Sequence, residues 1–381
     1  MKRHLLFFGV LLFIILSLPV AAQDSNQSKE TDCEQILIQA ADEFNAGRYY
    51  GLPSLLQNCI DKGNFSNEQK VRAYLLLAQA YLILDDPIAA DDSYLKLLQA
   101  DPEFEASISQ HPIDIYYLSK KFIATPVFTP HLRIGFNTSL PRTIYPINTS
   151  GTPLDIKNPL KVGIQVGGGV DWNITTHWSL CIEGNYAYKA FKKQSEYFFD
   201  SDQQTIVEKQ NWLDIPMYIK YADDSGKIRP FGYAGFAVNL LWSARGPDWL
   251  LKNNNSDGKG SAQEANGPAE VLTPKRNLFN TSLVFGGGAK YKIGKDFVYA
   301  DLRYMAGLTN LTNLENNYYD DKGNFDLANT KYAQASDIFR LDNLSISFGY
   351  IHPIYNPRKK SKPRLSTLFK NKKEVKKEET P

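Results

Sequence analysis

LKVGIQVGGGVDWNI, residues 160–174, alternates between two kinds of side chain. Leu160, Val162, Ile164, Val166, Gly168, Val170, Trp172 and Ile174 fall on one face of an extended chain. Lys161, Gly163, Gln165, Gly167, Gly169, Asp171 and Asn173 fall on the other. A period of two marks a β-strand whose faces meet different surroundings. The run is also long, because strands in soluble proteins average about five to six residues. The fold turns on what the apolar face meets.

Working outward, the N-terminus carries Lys2 and Arg3, then the apolar stretch LLFFGVLLFIILSL (residues 5–18), then small residues at Val20 and Ala22. That order predicts a cleaved signal peptide over residues 1–22. The stretch is short for a spanning helix, which needs roughly twenty apolar residues. No cysteine follows closely enough to mark a lipoprotein. Beyond this segment no apolar run is long enough for a transmembrane helix. The charge is divided: residues 23–357 hold 31 Lys/Arg and 38 Asp/Glu, whereas residues 358–381 hold ten basic and three acidic side chains.

From Pro130 to Tyr355 eight segments read as strands, centred on residues 131–139, 160–174, 178–191, 212–222, 230–242, 281–293, 297–309 and 341–351. Long connections are expected after strands 1, 3, 5 and 7, and short ones, such as TTH and GKD, after strands 2, 4 and 6. This asymmetry predicts an eight-stranded antiparallel transmembrane β-barrel with short periplasmic turns and long outer loops. In the seventh segment Val298, Ala300, Leu302, Tyr304, Ala306 and Leu308 share one face, while Asp301 and Arg303 occupy the other. An exported chain without spanning helices crosses a membrane only as a closed barrel. The apolar face is therefore expected to meet lipid.

The stretches NWLDIPMYIKY (211–221), PFGYAGFAVNLL (230–241) and FGGGAKYKIGKDFVYADLRYMAGLTNL (285–311) resemble the PorT-like outer-membrane β-barrel family of Bacteroidota. The resemblance covers roughly residues 130–355. It implies an integral outer-membrane protein and, by way of the family's namesake, a role in type IX protein secretion.

The inferred register sends Arg133, Lys161, Gln165, Asp171, Glu183, Lys189, Asp214, Lys220, Lys290, Asp301 and Arg303 inward. An eight-stranded barrel is just wide enough for side chains to fill it, so these charges are expected to pair and plug the lumen. A proton or small-solute path lined by the same groups is the alternative. The two GGG runs (167–169 and 286–288) lie in mid-strand, where small side chains let neighbouring strands curve or bulky lumen groups pass; neither opens a helix, so neither reads as a phosphate loop.

Residues 31–122 read as helical. In KVRAYLLLAQAYLILDDPIAADDSYLKLLQADPEF (70–104), Tyr74, Leu77, Ala78, Tyr81, Ala90, Tyr94, Leu97 and Pro102 fill the small and large sites of a pattern that resembles a tetratricopeptide repeat. Residues 33–63 resemble a degenerate first repeat: Ala41, Phe44 and Gly47 match, but Pro53 stands where alanine is usual. The resemblance implies a partner-binding face at Arg72, Leu75, Gln79 and Leu82. A hairpin turning near Ala46 and Gly47 brings Cys33 beside Cys59, which predicts a disulfide in an oxidising compartment. Cys181 has no such partner, and neither a Cys-x-x-Cys pair nor a histidine spacing announces a zinc site.

The expected organisation is a signal peptide (1–22), a periplasmic helical domain (23–125), an outer-membrane barrel (126–357) and a basic disordered periplasmic tail (358–381). No histidine lies near a serine and a carboxylate in the manner of a nucleophilic triad. The expected protein is therefore non-catalytic and without a cofactor. Its expected partners are outer-membrane lipid and envelope proteins of a secretion or assembly apparatus, not nucleic acid. A solute-transporting barrel gated by the helices is the alternative, and a lipid-modifying barrel enzyme a weaker third.

Overall fold

A computed structural model describes residues 24–62, 65–147, 156–197, 202–253, 263–266, 270–317 and 336–360. The segment 1–22, read as a signal peptide, and the basic tail beyond Lys360 lie outside the described residues. The chain divides into two compact units, with boundaries between Ala124 and Thr125 and between Tyr355 and Asn356.

The first unit contains α1 (Asp24–Asn45), α2 (Leu52–Asp61), α3 (Asn67–Ile83), α4 (Pro87–Ala100) and α5 (Ile113–Ser119). Its breaks follow local chemistry. After α1 the chain turns at Gly47, whose φ of 78° suits a residue without a Cβ. Pro53 sits in the first turn of α2, where a missing N–H costs no helical bond. Ser66 and Gln69 form a reciprocal capping box at α3, and Asp86 caps α4 by accepting from Ala89 N at 3.0 Å.

Two apolar clusters hold the helices together. One joins α1, α2 and α3 through Leu37, Leu52, Leu56, Phe65 and Leu77, and the Cys33–Cys59 disulfide lies in it, with the two Cα atoms 5.9 Å apart. The other gathers Ala78, Tyr94, Leu97, Leu98, Ile115, Leu118 and Phe122. The unit differs from expectation at the start of the tail: Arg358 and Lys359 are not disordered but pair as a short strand with Ile123 and Phe122. Lys359 also forms an ion pair with Asp91. Backbone pairing supplies the order that the composition of this basic segment does not suggest.

Burial pushes the Tyr94 phenol up to about 12. An unfolded tyrosine ionises near pH ~10, so between about pH 10 and 12 the folded unit keeps a proton that the unfolded chain loses. This contribution to stability is complete below about pH 10 and is lost as pH rises toward 12. The helical melting midpoint, followed by far-ultraviolet circular dichroism, is expected to fall over that window. Tyr94→Phe is expected to reduce the fall.

The second unit is a closed antiparallel meander of eight long strands: β1 (Phe128–Tyr145), β2 (Val162–Asn173), β3 (Trp178–Tyr197), β4 (Asp202–Ala222), β5 (Ile228–Asn253), β6 (Phe279–Ile293), β7 (Asp296–Gly307) and β8 (Ile338–Ile351). Each pairs with its neighbours in sequence, and β8 closes on β1 from Ile351↔His131 to Ile338↔Tyr145. An even strand number returns both ends of the unit to the side of the short turns.

The strands are longer than their alternation suggests. The connection after β3, expected to be long, is reduced to residues 198–201, because β3 and β4 continue pairing as far as Tyr197↔Asp202. Register shifts near Val207 and Asn211 mark irregularities where β4 meets β5. Residues 192–196, 202–205 and 208–211 are polar on both faces, so backbone pairing continues there without a period of two to reveal it.

The opening question is answered by burial. Val162, Ile164, Val166, Val170 and Trp172 of β2 are exposed, while Gln165 and Asp171 between them are buried. The same inversion occurs on β1 (Leu132, Ile134 and Phe136 outside, Arg133 inside) and on β7 (Leu302 outside, Asp301 and Arg303 inside). Water would make such an outer surface costly; hydrocarbon makes it favourable.

One glycine of the second GGG run shows why small residues are needed. A Cβ on Gly286 would lie 2.3 Å from Tyr233 Cζ, so a side chain there displaces the ring from the lumen. Gly286→Val is expected to cost about 1–3 kcal/mol, the usual range for overpacking. The check is the urea midpoint of the barrel beside that of Gly184→Val, where a Cβ would meet nothing within 4 Å.

Candidate functional site

The inward faces of β1, β3, β4 and β7 converge on Glu183. Its carboxylate accepts from Arg303 Nη1 and Nη2 at 2.7 and 2.9 Å, from Arg133 Nη1 at 3.0 Å, from Asn185 Nδ2 at 2.8 Å and from the Tyr218 hydroxyl. Arg133 also donates to Ser347 Oγ at 2.5 Å and to Asp301 at 3.4 Å. Asp301 in turn accepts from the Tyr233 hydroxyl. The Arg303 guanidinium lies 5.3 and 5.1 Å from the ring centroids of Tyr218 and Tyr233, which stack on each other at 4.4 Å. Such a network holds two buried arginines only because each charge has a partner of opposite sign and further donors or acceptors around it.

Three further pairs continue along the lumen. Toward the short turns, Lys220 donates to Asp171. Toward the long loops, Lys189 bridges to Asp214 at 2.9 Å and lies over the Trp212 ring, while Asn239 donates to the same carboxylate at 2.6 Å. Beyond it, Arg276 grips Glu208 through two bonds of 2.9 and 2.7 Å. Above the Glu183 and Lys189 layers, and level with the Glu208–Arg276 pair, sits an apolar layer of Ala187, Phe191, Trp212, Leu241, Ala244, Leu272, Leu311 and Phe339. Between them remains a cavity of about 20 Å³, lined by Lys189, Asn239, Ser282 and Asn343 among others. That is room for about one water.

Of the residues read as inward from sequence, Arg133, Gln165, Asp171, Glu183, Lys189, Asp214, Asp301 and Arg303 are buried in the lumen. Lys220 is partly exposed. Lys290 is also partly exposed and pairs at 3.5 Å with Asp224 in the turn between β4 and β5, apart from the Glu183 network. Lys161 precedes β2 and is exposed, a correction that follows from the strand starting at Val162. The Glu208–Arg276 pair was missed, because both residues fell in segments read as loop. His131 points into the lumen and reaches Glu183 Oε1 through Nε2 at 3.2 Å.

In the helical unit, Arg72 turns to Glu34 at 2.8 Å, and Leu75 and Leu82 pack on the cluster around Tyr94 and Leu97. Gln79 is half-buried. The four residues therefore do not form one open apolar face.

Residues 128–313 match the outer membrane protein beta-barrel domain family. Together with a closed barrel that is apolar outside and charged within, the match defines the class: this is an outer-membrane β-barrel protein. Among solved structures the chain is similar to OprG from Pseudomonas aeruginosa, with 12% identity over 62% of this chain and 99% of that one at a TM-score of 0.34. It is also similar to Neisserial surface protein A, with 12% identity over 60% and 97% at 0.29. The outer membrane enzyme PagL is a third, with 14% identity over 59% and 99% at 0.24. No curated protein sequence matches the chain.

Proposed function

We propose that this protein is a non-catalytic outer-membrane anchor of the PorT-like kind. Its barrel presents a tetratricopeptide-like helical unit to the periplasm, where that unit binds other envelope proteins in secretion or envelope assembly. The observation that carries this reading is the filled lumen: charged layers closed by their own partners, under an apolar layer, leave the barrel little to do but hold what is attached to it. Both ends of the barrel unit emerge on the short-turn side, the periplasmic side in barrels of this kind. The helical unit also exposes large apolar side chains, including Tyr50 at 86% and Ile88 at 81%, of the sort that protein interfaces cover.

The test is affinity capture from native outer membranes in mild detergent. The full-length protein is compared with a form lacking residues 31–122, after both barrels are shown to insert equally. A set of partners lost with the helical unit is the expected result. An unchanged set, or none, overturns the adaptor reading.

A further inference from the structure

We propose that the short-turn half of the lumen holds a zinc-class divalent cation on His131, Cys181 and Glu183. One ligand atom from each of these residues lies within 4.8 Å of the other two, and all three are buried. The barrel register creates the cluster. His131 on β1 stands opposite Gly169 on β2, and Gly169 stands opposite Glu183 on β3. A Cβ on Gly169 would come within 2.7 Å of Glu183 Cγ, so the missing side chain is what lets imidazole and carboxylate meet across the intervening strand.

The separation suits a metal. His131 Nε2 and Glu183 Oε1 are 3.2 Å apart. Two ligands at about 2.0–2.2 Å from a tetrahedral zinc ion stand roughly 3.3 Å from each other. Thiolate and imidazole donors together favour zinc-like ions over magnesium or calcium, which prefer oxygen alone. On binding, the Cys181 S–H bond breaks, a sulfur–metal bond forms, and the proton passes to solvent.

An independent observation points the same way. His131 Nδ1 and Asp171 Oδ1 are buried without a hydrogen-bond partner, yet they face each other at 3.8 Å. Their side chains are 3% and 4% exposed, so bulk water does not reach them. If Nε2 carries the proton shared with Glu183, the Nδ1 lone pair confronts a carboxylate oxygen. A metal on Nε2 moves the proton to Nδ1 and aims it at Asp171, the arrangement in which a carboxylate orients a metal-bound histidine. The charge cost is modest: a dication with a thiolate adds one net positive charge, the same as a protonated imidazole beside a neutral thiol.

The experiment uses the full chain without an affinity tag, folded in detergent micelles, with cobalt(II) as the probe. Cobalt is supplied both after folding and during refolding, so that a closed lumen does not mask the site. Because Cys33 and Cys59 are joined and the sequence has three cysteines, a thiolate-to-cobalt charge-transfer band reports Cys181 alone. The expected band saturates at one equivalent and is displaced by zinc. It is lost in Cys181→Ser, while Asp171→Asn retains it with affinity about 10–100-fold weaker. Heat-modifiable electrophoretic mobility shows whether each variant is folded. Absence of the band in the folded wild-type protein overturns the proposal, whatever the variants do, and so does a band that survives Cys181→Ser.

Discussion

Glu183→Gln is expected to destabilise the barrel by about 3–5 kcal/mol, the cost of breaking a buried ion pair by removing one partner. The carboxylate serves two arginines whose side chains are 1% and 3% exposed, so neither finds water when it goes. Glutamine keeps the shape and one acceptor but places an N–H group against a guanidinium. Asp301 is left as the only carboxylate near both arginines, at 3.4 Å from Arg133 and 3.9 Å from Arg303. The measurement is the urea midpoint of the barrel in micelles. The surface pair Arg48–Glu43 of the helical unit gives the contrast: Arg48→Met is expected to leave that unit's own melting midpoint unchanged, because water screens both charges. Equal effects for the two substitutions would mean that the lumen is wet enough to solvate its own ions.

Removing the disulfide, as Cys33→Ser with Cys59→Ser, is expected to cost the helical unit about 3.5 kcal/mol. That is the loop-closure estimate for a bridge across 26 residues. Half of the bridge lies on α1, whose packing partners are α2, α3 and the turn between α1 and α2. A short α2 of 10 residues depends on that docking, since isolated helices of this length are marginal in water. Limited proteolysis of the full-length protein is expected to cut the helical unit of the double variant faster, while the barrel keeps its urea midpoint. An unchanged cleavage rate would show that the apolar cluster suffices alone.

The barrel was legible where lipid imposed a rule. On β2 and β7 one face had to be apolar and the other could carry Asp171 or Arg303, so a period of two survived in the sequence. Beyond the membrane that rule lapses. Residues 192–197 and 202–211 pair as strand although little in their polarity demands it, and the reading shortened β3 and β4 accordingly. Arg358 and Lys359 escaped for a related reason, since a two-residue backbone pairing leaves almost no compositional trace.

The lumen charges were legible as inward-facing but not as a network. Glu183 could be placed on the correct face from alternation alone, yet its five hydrogen-bonding neighbours come from four strands. Which of them it would meet depends on the register. Cys181 illustrates the limit most clearly. It read as a lone thiol because zinc sites were sought as local spacings, whereas His131 reaches it and Glu183, its neighbour on β3, only across β2, which carries Gly169 between them.

The central claim is that this barrel is filled and serves to hold rather than to pass. Planar-bilayer recording of the purified full-length protein tests it most directly, with insertion shown independently by protection of the strands from protease. The account predicts membranes that carry inserted barrel but no stable unitary conductance, since an ion entering from the short turns meets satisfied pairs and then an apolar layer. Reproducible conductance steps that persist when residues 31–122 are removed would contradict it and make the lumen a path.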